Sequence, residues 1–406
     1  MEDLLPETTR KFRHIEDTAR RVFTGYGYGE IRTPILEPTE LFARAAGEAS
    51  DIMVSKQMYT FDDPGERSNT MRPEGTAGVV RAMVESGAFK ELPIHRLYYT
   101  GPMFRYEKPQ KGRLRQFHQV GVEFFGVAHP AADAEVITLC YQFLTELGFN
   151  DIITKINTIG SMEDRRQYNQ TLRDTIQANP GGWCEQCRQR ALINPMRVFD
   201  CKVEACNKLT ESLPRITESV SEESRAHFQQ VTALLDAANV PYEIESSLVR
   251  GFDYYTHTVF EVIQSNIGAQ SAILGGGRYD GLVEELGGPA VPAVGMGIGM
   301  ERLILSMEAA GIGFPAAPAV DYYALAMDAE ALPAIFEVVY ALRRAGKTVA
   351  FDCQPRTMKA GFKAANRVGA REMLILGSNE RERGIIQKKN LETGQQIEEP
   401  LSAFTQ

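Results

Sequence analysis

Near the N-terminus, apolar residues recur at helical spacing. Phe12, Ile15, Ala19, Val22 and Phe23 predict one amphipathic helix that Gly25 and Gly27 end. The pattern then shortens to alternating runs. EIRTPILEP reads as a strand in which Pro34 marks an edge, a bulge or a subunit interface. Tyr99 to Gly126 predicts two strands flanking a basic loop. In the second, Arg115, Phe117, Gln119 and Glu123 share one face, and Gly121 leaves a gap between them. Gln116, His118, Val120, Val122 and Phe124 share the other, which is apolar enough toward its end to be the packed face. Asp133 to Leu147 predicts a helix with Val136, Leu139, Cys140, Phe143, Leu144 and Leu147 on its stripe and Gly148 as its stop.

Between about 165 and 240 polar helices interrupt the strands, including one capped near Ser221 that buries Phe228, Val231, Leu234 and Leu235. Strands resume at 248–262, 272–274 and 293–299, ahead of a helix carrying Glu301 and Arg302. These late strands must rejoin the earlier sheet. Gly311, Gly313, Pro315 and Pro318 then form a linker, beyond which strand and helix alternate: strands at 322–327, 348–351 and 373–376, helices at 330–345 and 356–368, then a short hairpin. That alternation predicts a separate α/β domain at 319–406 behind a larger domain at 1–318.

The length of 406 residues fits two or three domains. A net charge of -9 excludes a protein that coats nucleic acid nonspecifically, so any RNA site must be a local basic patch. The N-terminal segment is charged and amphipathic, and no run of about 18 apolar residues occurs, which predicts a soluble, cytoplasmic protein with no signal peptide and no membrane partner. Six cysteines are too few for a secreted disulfide scaffold, yet four cluster. Cys184 and Cys187 form a C-x2-C pair, followed after thirteen residues by Cys201 and then by Cys206. That spacing suits either a structural zinc site or reduced thiols in a small subdomain.

Four segments put polar groups into apolar surroundings. In MRPEGT, Arg72, Glu74 and Thr76 surround Pro73 and Gly75, and Glu74 is suited to a ligand ammonium. Arg105, Arg113 and Arg115 suit phosphate charge, and Phe117 suits stacking on a flat base, which together point to a nucleotide. In LVRGFDYYTHTVFEV, Arg250 beside Gly251 can approach a carboxylate or phosphate closely. A regular strand there would let only one of Tyr254 and Tyr255 face the ligand, and His257 reads as a packed residue rather than a base. GGGRYDGL precedes AVGMGIGMERLIL, where Ala293, Gly295, Gly297 and Gly299 leave a strand face nearly bare for a flat ligand, and Arg302 enters the next helix. This is not a dinucleotide fingerprint, since the third glycine is missing, and AGKT at 345–348 is not a phosphate loop, since it runs from helix to strand.

Together these segments resemble the class II aminoacyl-tRNA synthetases, and LVRGFDYYTHTVFE, GGGRYDGL and RQFHQVGVEFFG resemble the histidyl-tRNA synthetase family over essentially the whole chain. The resemblance implies an α+β catalytic domain on an antiparallel sheet, a helical cysteine-containing insertion, a C-terminal α/β anticodon-binding domain and a homodimer. It implies a ligase that joins L-histidine to tRNA-His with ATP and Mg2+. Arg105, Arg250 and Arg302 would be the catalytic set, with Arg105, Glu107, Arg113, Phe117 and Arg302 around ATP. Glu74, Thr76, Gln119, Glu123, Arg250, Tyr255 and Tyr279 would hold histidine. Lys108, Gln110, Arg356, Lys359, Lys363 and Arg367 would meet tRNA, the last four from one helix face. The segment Asp51 to Lys56 is one residue longer than the family usually has, and the cysteine cluster is no general family requirement. The alternative is a catalytically silent paralogue, the regulatory subunit of ATP phosphoribosyltransferase in histidine biosynthesis. That paralogue typically lacks the C-terminal domain and loses ligand residues, whereas both are present here.

Overall fold

The computed structural model describes residues 3–45, 57–108, 112–250, 253–264 and 272–404. They form two compact units, Met1–Pro315 and Ala316–Gln406. The first unit carries strands β1 (Gly29–Glu30), β2 (Leu36–Pro38), β3 (Tyr59–Asp62), β4 (Ser68–Met71), β5 (His95–Phe104), β6 (Gln116–Phe125), β7 (Ile152–Thr158), β8 (Tyr242–Ile244), β9 (Thr256–Gln264), β10 (Ala272–Arg278) and β11 (Ala293–Gly299). Its helices of eight residues or more among the described residues are α1 (Pro6–Gly25), α2 (Thr76–Glu85), α3 (Ala131–Glu146), α4 (Met162–Ala178), α5 (Glu185–Ile193), α6 (Glu204–Glu211), α7 (Glu222–Ala237) and α8 (Met300–Ala309).

One eight-stranded sheet runs in the order β1-β5-β6-β11-β10-β9-β7-β8. The six central strands are mutually antiparallel, and the short β1 and β8 add parallel edges. The late strands β9 to β11 therefore sit beside β6. The face bearing Val120, Val122 and Phe124 is covered by α1, α3, α7 and α8, whose Phe12, Ile15, Phe143, Val231 and Leu303 join one buried cluster. Each such side chain contributes about 1.5–3 kcal/mol by leaving water. The other face is thereby left for α2, the helical insertion and the polar site.

Three local expectations change. The run at 30–38 is not one strand, because pairing is confined to β1 and β2. Pro34 has no N–H, and the buried Arg72 takes the local acceptors: its Nη1 donates to Thr33 O (2.9 Å), Thr33 Oγ1 (3.0 Å) and Pro34 O (3.4 Å). The strand expected from Leu248 begins only at Thr256. Asn157 Nδ2 instead donates to the Leu248 carbonyl at 3.0 Å, and the register of β9 against β10 slips just after Thr256, where His257 has φ 47°. In α7, Phe228, Val231 and Leu235 are buried as expected, but Leu234 is 37% exposed.

Asp164 clasps the insertion. It closes a capping box with Ser161 at the start of α4 and also accepts from Ser221 N (2.9 Å) and Ser224 Oγ (2.6 Å) at the start of α7. Burial opposes its charge, but these donors outweigh burial and pull its carboxyl down to about 2.

The second unit holds β12 (Val320–Ala326), β13 (Val349–Phe351), β14 (Ala370–Leu376), β15 (Ile385–Asn390), β16 (Gln396–Pro400), α9 (Leu332–Arg344) and α10 (Met358–Arg367). Its sheet order is β13-β12-β14-β15-β16, with the first three strands parallel and the last two forming the hairpin. Ile335, Val338 and Val339 of α9 and Ala364 and Ala365 of α10 join separate core clusters, as helices on the two faces of one sheet do.

Candidate active site

Glu123 is the buried centre of one half of the site. Thr76 Oγ1 donates to its Oε1 at 2.7 Å, and the Tyr279 hydroxyl donates to Oε2 in a short hydrogen bond. Burial pushes this carboxyl up to about 8, against those two donors. Glu74 lies beside it. Its carboxylate accepts from the Thr76 amide (2.6 Å) and the Ala77 amide (2.9 Å), the free N–H groups of the first turn of α2. Among the described residues the amide oxygen of Gln119 is buried without a partner, and it shares a strand face with Glu123.

Glycines form the floor under these groups. Gly295 pairs with Glu123 in the β6–β11 register, and a Cβ there would sit 2.0 Å from Glu123 Oε2. A Cβ at Gly297 would meet Gln119 Nε2 at 2.3 Å, whereas at Gly299 it meets nothing within 4 Å. The strand expected to be bare is thus roofed at Gly295 and Gly297 by these polar side chains, and only Gly299 stays open. Gly121 does not leave a gap either. The ring of Tyr99, its β5 partner, fills that space, with Cζ 2.4 Å from where a Cβ would be.

Tyr254 and Tyr255 lie at the turn ahead of β9 rather than in a strand, and both reach Tyr279, contrary to the regular-strand expectation. Tyr254 and Tyr255 have ring centroids 4.7 Å apart, and each meets Tyr279, at 5.6 and 6.4 Å. Arg250 lies over Gly275, where a Cβ would be 2.4 Å from Nη1, and pairs closely with Glu261. Burial works against its charge, but Tyr255 and Glu261 outweigh burial and raise the guanidinium above its usual value. His257 stacks on His227 at 5.0 Å, and burial lowers its pKa, in keeping with a packed residue. The Arg278 of GGGRYDGL is wholly buried against Asp133, with both Nε–Oδ distances 3.1 Å, so it fastens β10 to α3.

The cationic half gathers at the end of β6. Arg105 lies over the Phe117 ring at 5.2 Å and donates from Nε to Pro73 O at 2.8 Å. Glu107 sits between Arg105 (3.9 Å) and Arg113 (3.7 Å). Burial, then Arg113, lowers the pKa of the Arg302 guanidinium, as desolvation and a nearby like charge both do. Arg115 turns away onto Tyr106, at 4.5 Å. Glu301 anchors α8 by accepting from the His118 amide at 3.0 Å with both oxygens, which fixes where Arg302 leaves the helix.

The site therefore brings together Glu74, Thr76, Gln119, Glu123, Tyr255 and Tyr279 on one side and Arg105, Glu107, Arg113 and Phe117 on the other. Sequence reasoning missed Tyr99 and Glu261, and it gave no site role to Tyr254 or Glu301. For Tyr99 a signal existed: a glycine inside a strand otherwise lined with large side chains asks what covers it. Lys108 is exposed, and Gln110 and the segment Asp51 to Lys56 lie outside the described residues. Lys359, Lys363 and Arg367 are exposed on α10, but Arg356 precedes that helix and pairs with Asp352. The sulfurs of Cys184, Cys187, Cys201 and Cys206 lie within 4.8 Å of one another.

An antiparallel sheet that carries two arginines and a stacking aromatic beside a closed carboxyl pocket is the class II aminoacyl-tRNA synthetase arrangement. The family model described as Histidyl-tRNA synthetase matches residues 1–303, and the one described as Anticodon binding domain matches residues 321–406. The chain is 45% identical over 396 residues to the histidine–tRNA ligase of Halothermothrix orenii, covering 98% of this chain and 94% of that one. It is 43% identical over 403 residues to that of Natranaerobius thermophilus, covering 99% and 96%. The apo S. aureus histidyl-tRNA synthetase crystal structure superposes with a TM-score of 0.83 at 36% identity, over 100% of this chain and 98% of that one. The chain belongs to the histidyl-tRNA synthetase family. The anticodon-binding match falls within its second unit, so the chain carries the domain that the regulatory paralogue typically lacks.

Proposed function

We propose that this protein is a histidine–tRNA ligase that makes histidyl-adenylate from L-histidine and ATP and then esterifies the 3' end of tRNA-His. The observation that carries the reading is the buried Glu123 carboxyl, held by Thr76 and Tyr279 beside the unpaired Gln119 oxygen. An imidazole offers one donor and one acceptor nitrogen, and a carboxyl with a flanking tyrosine hydroxyl complements both. A ligand lacking those nitrogens would bury polar pocket groups without the hydrogen bonds that an imidazole returns, so selection needs no second, editing site. The α-ammonium suits Glu74, Thr76 and the Gln119 oxygen, with Tyr255 and Tyr279 closing the pocket.

In the first step a histidine carboxylate oxygen attacks the α-phosphorus of ATP. The new acyl–phosphate bond forms as the bond to pyrophosphate breaks, and the electron pair leaves with pyrophosphate. No protein base is required, because the attacking group is already an anion. The chain's contribution is position and charge: Arg250 between carboxylate and α-phosphate, Arg105, Arg113 and Arg302 along the phosphates, and Phe117 against adenine. Glu107, the carboxylate between two arginines, fits beside the Mg2+ that accompanies ATP, and Mg2+ would supply charge neutralisation at the phosphate oxygens. In the second step the terminal ribose hydroxyl attacks the acyl carbon, the acyl–phosphate bond breaks with its electron pair leaving on AMP, and the hydroxyl proton passes to the departing phosphate or to water.

Lys108 and Gln110 are suited to the acceptor end of the tRNA, and Arg356, Lys359, Lys363 and Arg367 to anticodon-stem phosphates. The chain works in the cytoplasm as a homodimer, a reading the family resemblance and the exposed Ile35 and Leu36 beside Pro34 support. Among the described residues no helix is long and apolar enough to cross a membrane. Histidine-dependent ATP–pyrophosphate exchange is the test. Exchange with histidine alone among the amino acids is expected. No exchange with histidine would overturn the enzyme reading, and exchange with a different amino acid would overturn its specificity.

A further inference from the structure

We infer that Cys184, Cys187, Cys201 and Cys206 bind one zinc ion as four thiolates, and that this metal stiffens the insertion that supports the histidine pocket. The four cysteines come from different pieces of local structure. Cys184 caps α5, Cys187 lies in its first turn, Cys201 follows the turn Pro195–Asp200, and Cys206 lies in α6. Their sulfurs nonetheless converge within 4.8 Å, and Cys184 Sγ is 3.8 Å from Cys201 Sγ. Tetrahedral thiolates about 2.3 Å from a zinc ion stand roughly 3.8 Å apart, so small shifts complete the site. A disulfide would need sulfurs about 2 Å apart, and all four thiols are free. An iron–sulfur cluster needs room between its thiolates for several atoms, which this spacing does not give.

The surroundings suit an anionic centre. Backbone N–H groups point at three sulfurs: the Cys184 amide at Cys206 Sγ (3.3 Å), the Cys187 amide at Cys184 Sγ (3.4 Å) and the Val203 amide at Cys201 Sγ (3.5 Å). Such donors gain most when the sulfur carries charge, as it does on a metal. Three of the four cysteines are buried, and they share one core with Trp183, Ala191, Met196 and Val198.

The consequence reaches the pocket through two insertion side chains. Arg165 Nη1 donates to the carbonyls of Asp253 (2.5 Å) and Tyr255 (2.6 Å), and Asn194, at the end of α5, donates to the Asp253 carboxylate. These bonds hold the segment that presents Tyr254 and Tyr255. An insertion loosened by metal loss would let that segment drift, raising KM for histidine more than KM for ATP.

The test uses full-length protein purified without added metal. Elemental analysis is expected to give one zinc per chain, and mercurial titration to release it as four thiols react. Trp183, the sole tryptophan, sits next to Cys184 and should shift its emission to the red on release. Cobalt replacement should give the charge-transfer and visible bands of a tetrahedral four-thiolate site, and Cys206→Ser should shift those bands. Stripped protein should show at least a several-fold higher KM for histidine, with KM for ATP changed less. Less than a tenth of a zinc per chain with four freely titrating thiols would overturn the proposal, as would bound iron or a disulfide between any two of the four. A stripped protein with unchanged emission and unchanged KM for histidine would overturn the link to the pocket.

Discussion

On the Glu123 side of the site the ionisable group is buried and already hydrogen-bonded to Thr76 and Tyr279, whereas on the other side Arg105 is 31% and Arg113 60% exposed. The pKa shifts follow the same division. Burial pushes the pocket's central carboxyl up to about 8, while in the cationic half burial and then Arg113 lower the pKa of Arg302. The first half is preorganised for a small polar ligand of fixed shape. The second is more open and gathers like charges suited to a polyanion. Selectivity should therefore reside in the rigid half and most of the rate in the cationic half.

Truncation of the cationic half should cost the most. Arg250→Ala and Arg302→Ala should each lower kcat for ATP–pyrophosphate exchange by roughly 100-fold or more, since each removes charge aimed at the reacting phosphates. A drop of less than tenfold for both would erase the contrast between the halves. Glu123→Ala should abolish measurable histidine activation while circular dichroism stays native, and near-normal activation would refute its role. Tyr279→Phe removes a single hydrogen bond from the pocket and should raise KM for histidine by about tenfold, with KM for ATP unchanged.

The raised pKa of Glu123 makes a signed prediction about stability. Folding keeps a proton on this carboxyl that the unfolded chain releases at the ordinary glutamate value. Its contribution is therefore complete below that value, declines as pH rises through about 8, and is constant above, a loss of roughly a few kcal/mol. Urea unfolding at about pH 5 and about pH 9 should show that loss in the wild type and a flatter profile in Glu123→Gln. Equal slopes would place the titration elsewhere. The smallest effect belongs to the second unit. Lys359→Ala and Lys363→Ala should each weaken tRNA binding a few-fold and reduce its salt slope by about one, with amino-acid activation untouched.

What the sequence discloses follows the same division. Residues whose chemistry is odd for their place were readable: Glu123 and Gln119 in an otherwise apolar strand, Glu74 next to a glycine, Arg250 before one. Helices with long periodic stripes, such as α1 and α3, were readable too, because burial enforces their period. Partners set by cross-strand register were not. Tyr99 reaches Gly121 only because the hairpin pairs these two residues across a long basic loop whose length does not dictate register. Tyr254 and Tyr255 converge because they lie at a turn and the strand begins only at Thr256, a boundary that the residue pattern does not announce. Arg356 looked like part of a basic helix face because spacing cannot tell a residue inside the first turn from one just before it.

The most direct measurement is calorimetric titration of L-histidine into wild type and Glu123→Gln without ATP. A preorganised pocket predicts that the wild type binds histidine alone and that Glu123→Gln binds it at least tenfold more weakly, while both bind ATP equally. Wild-type protein that binds histidine only once ATP is present, or a Glu123→Gln variant that binds it as tightly as wild type, would contradict the account.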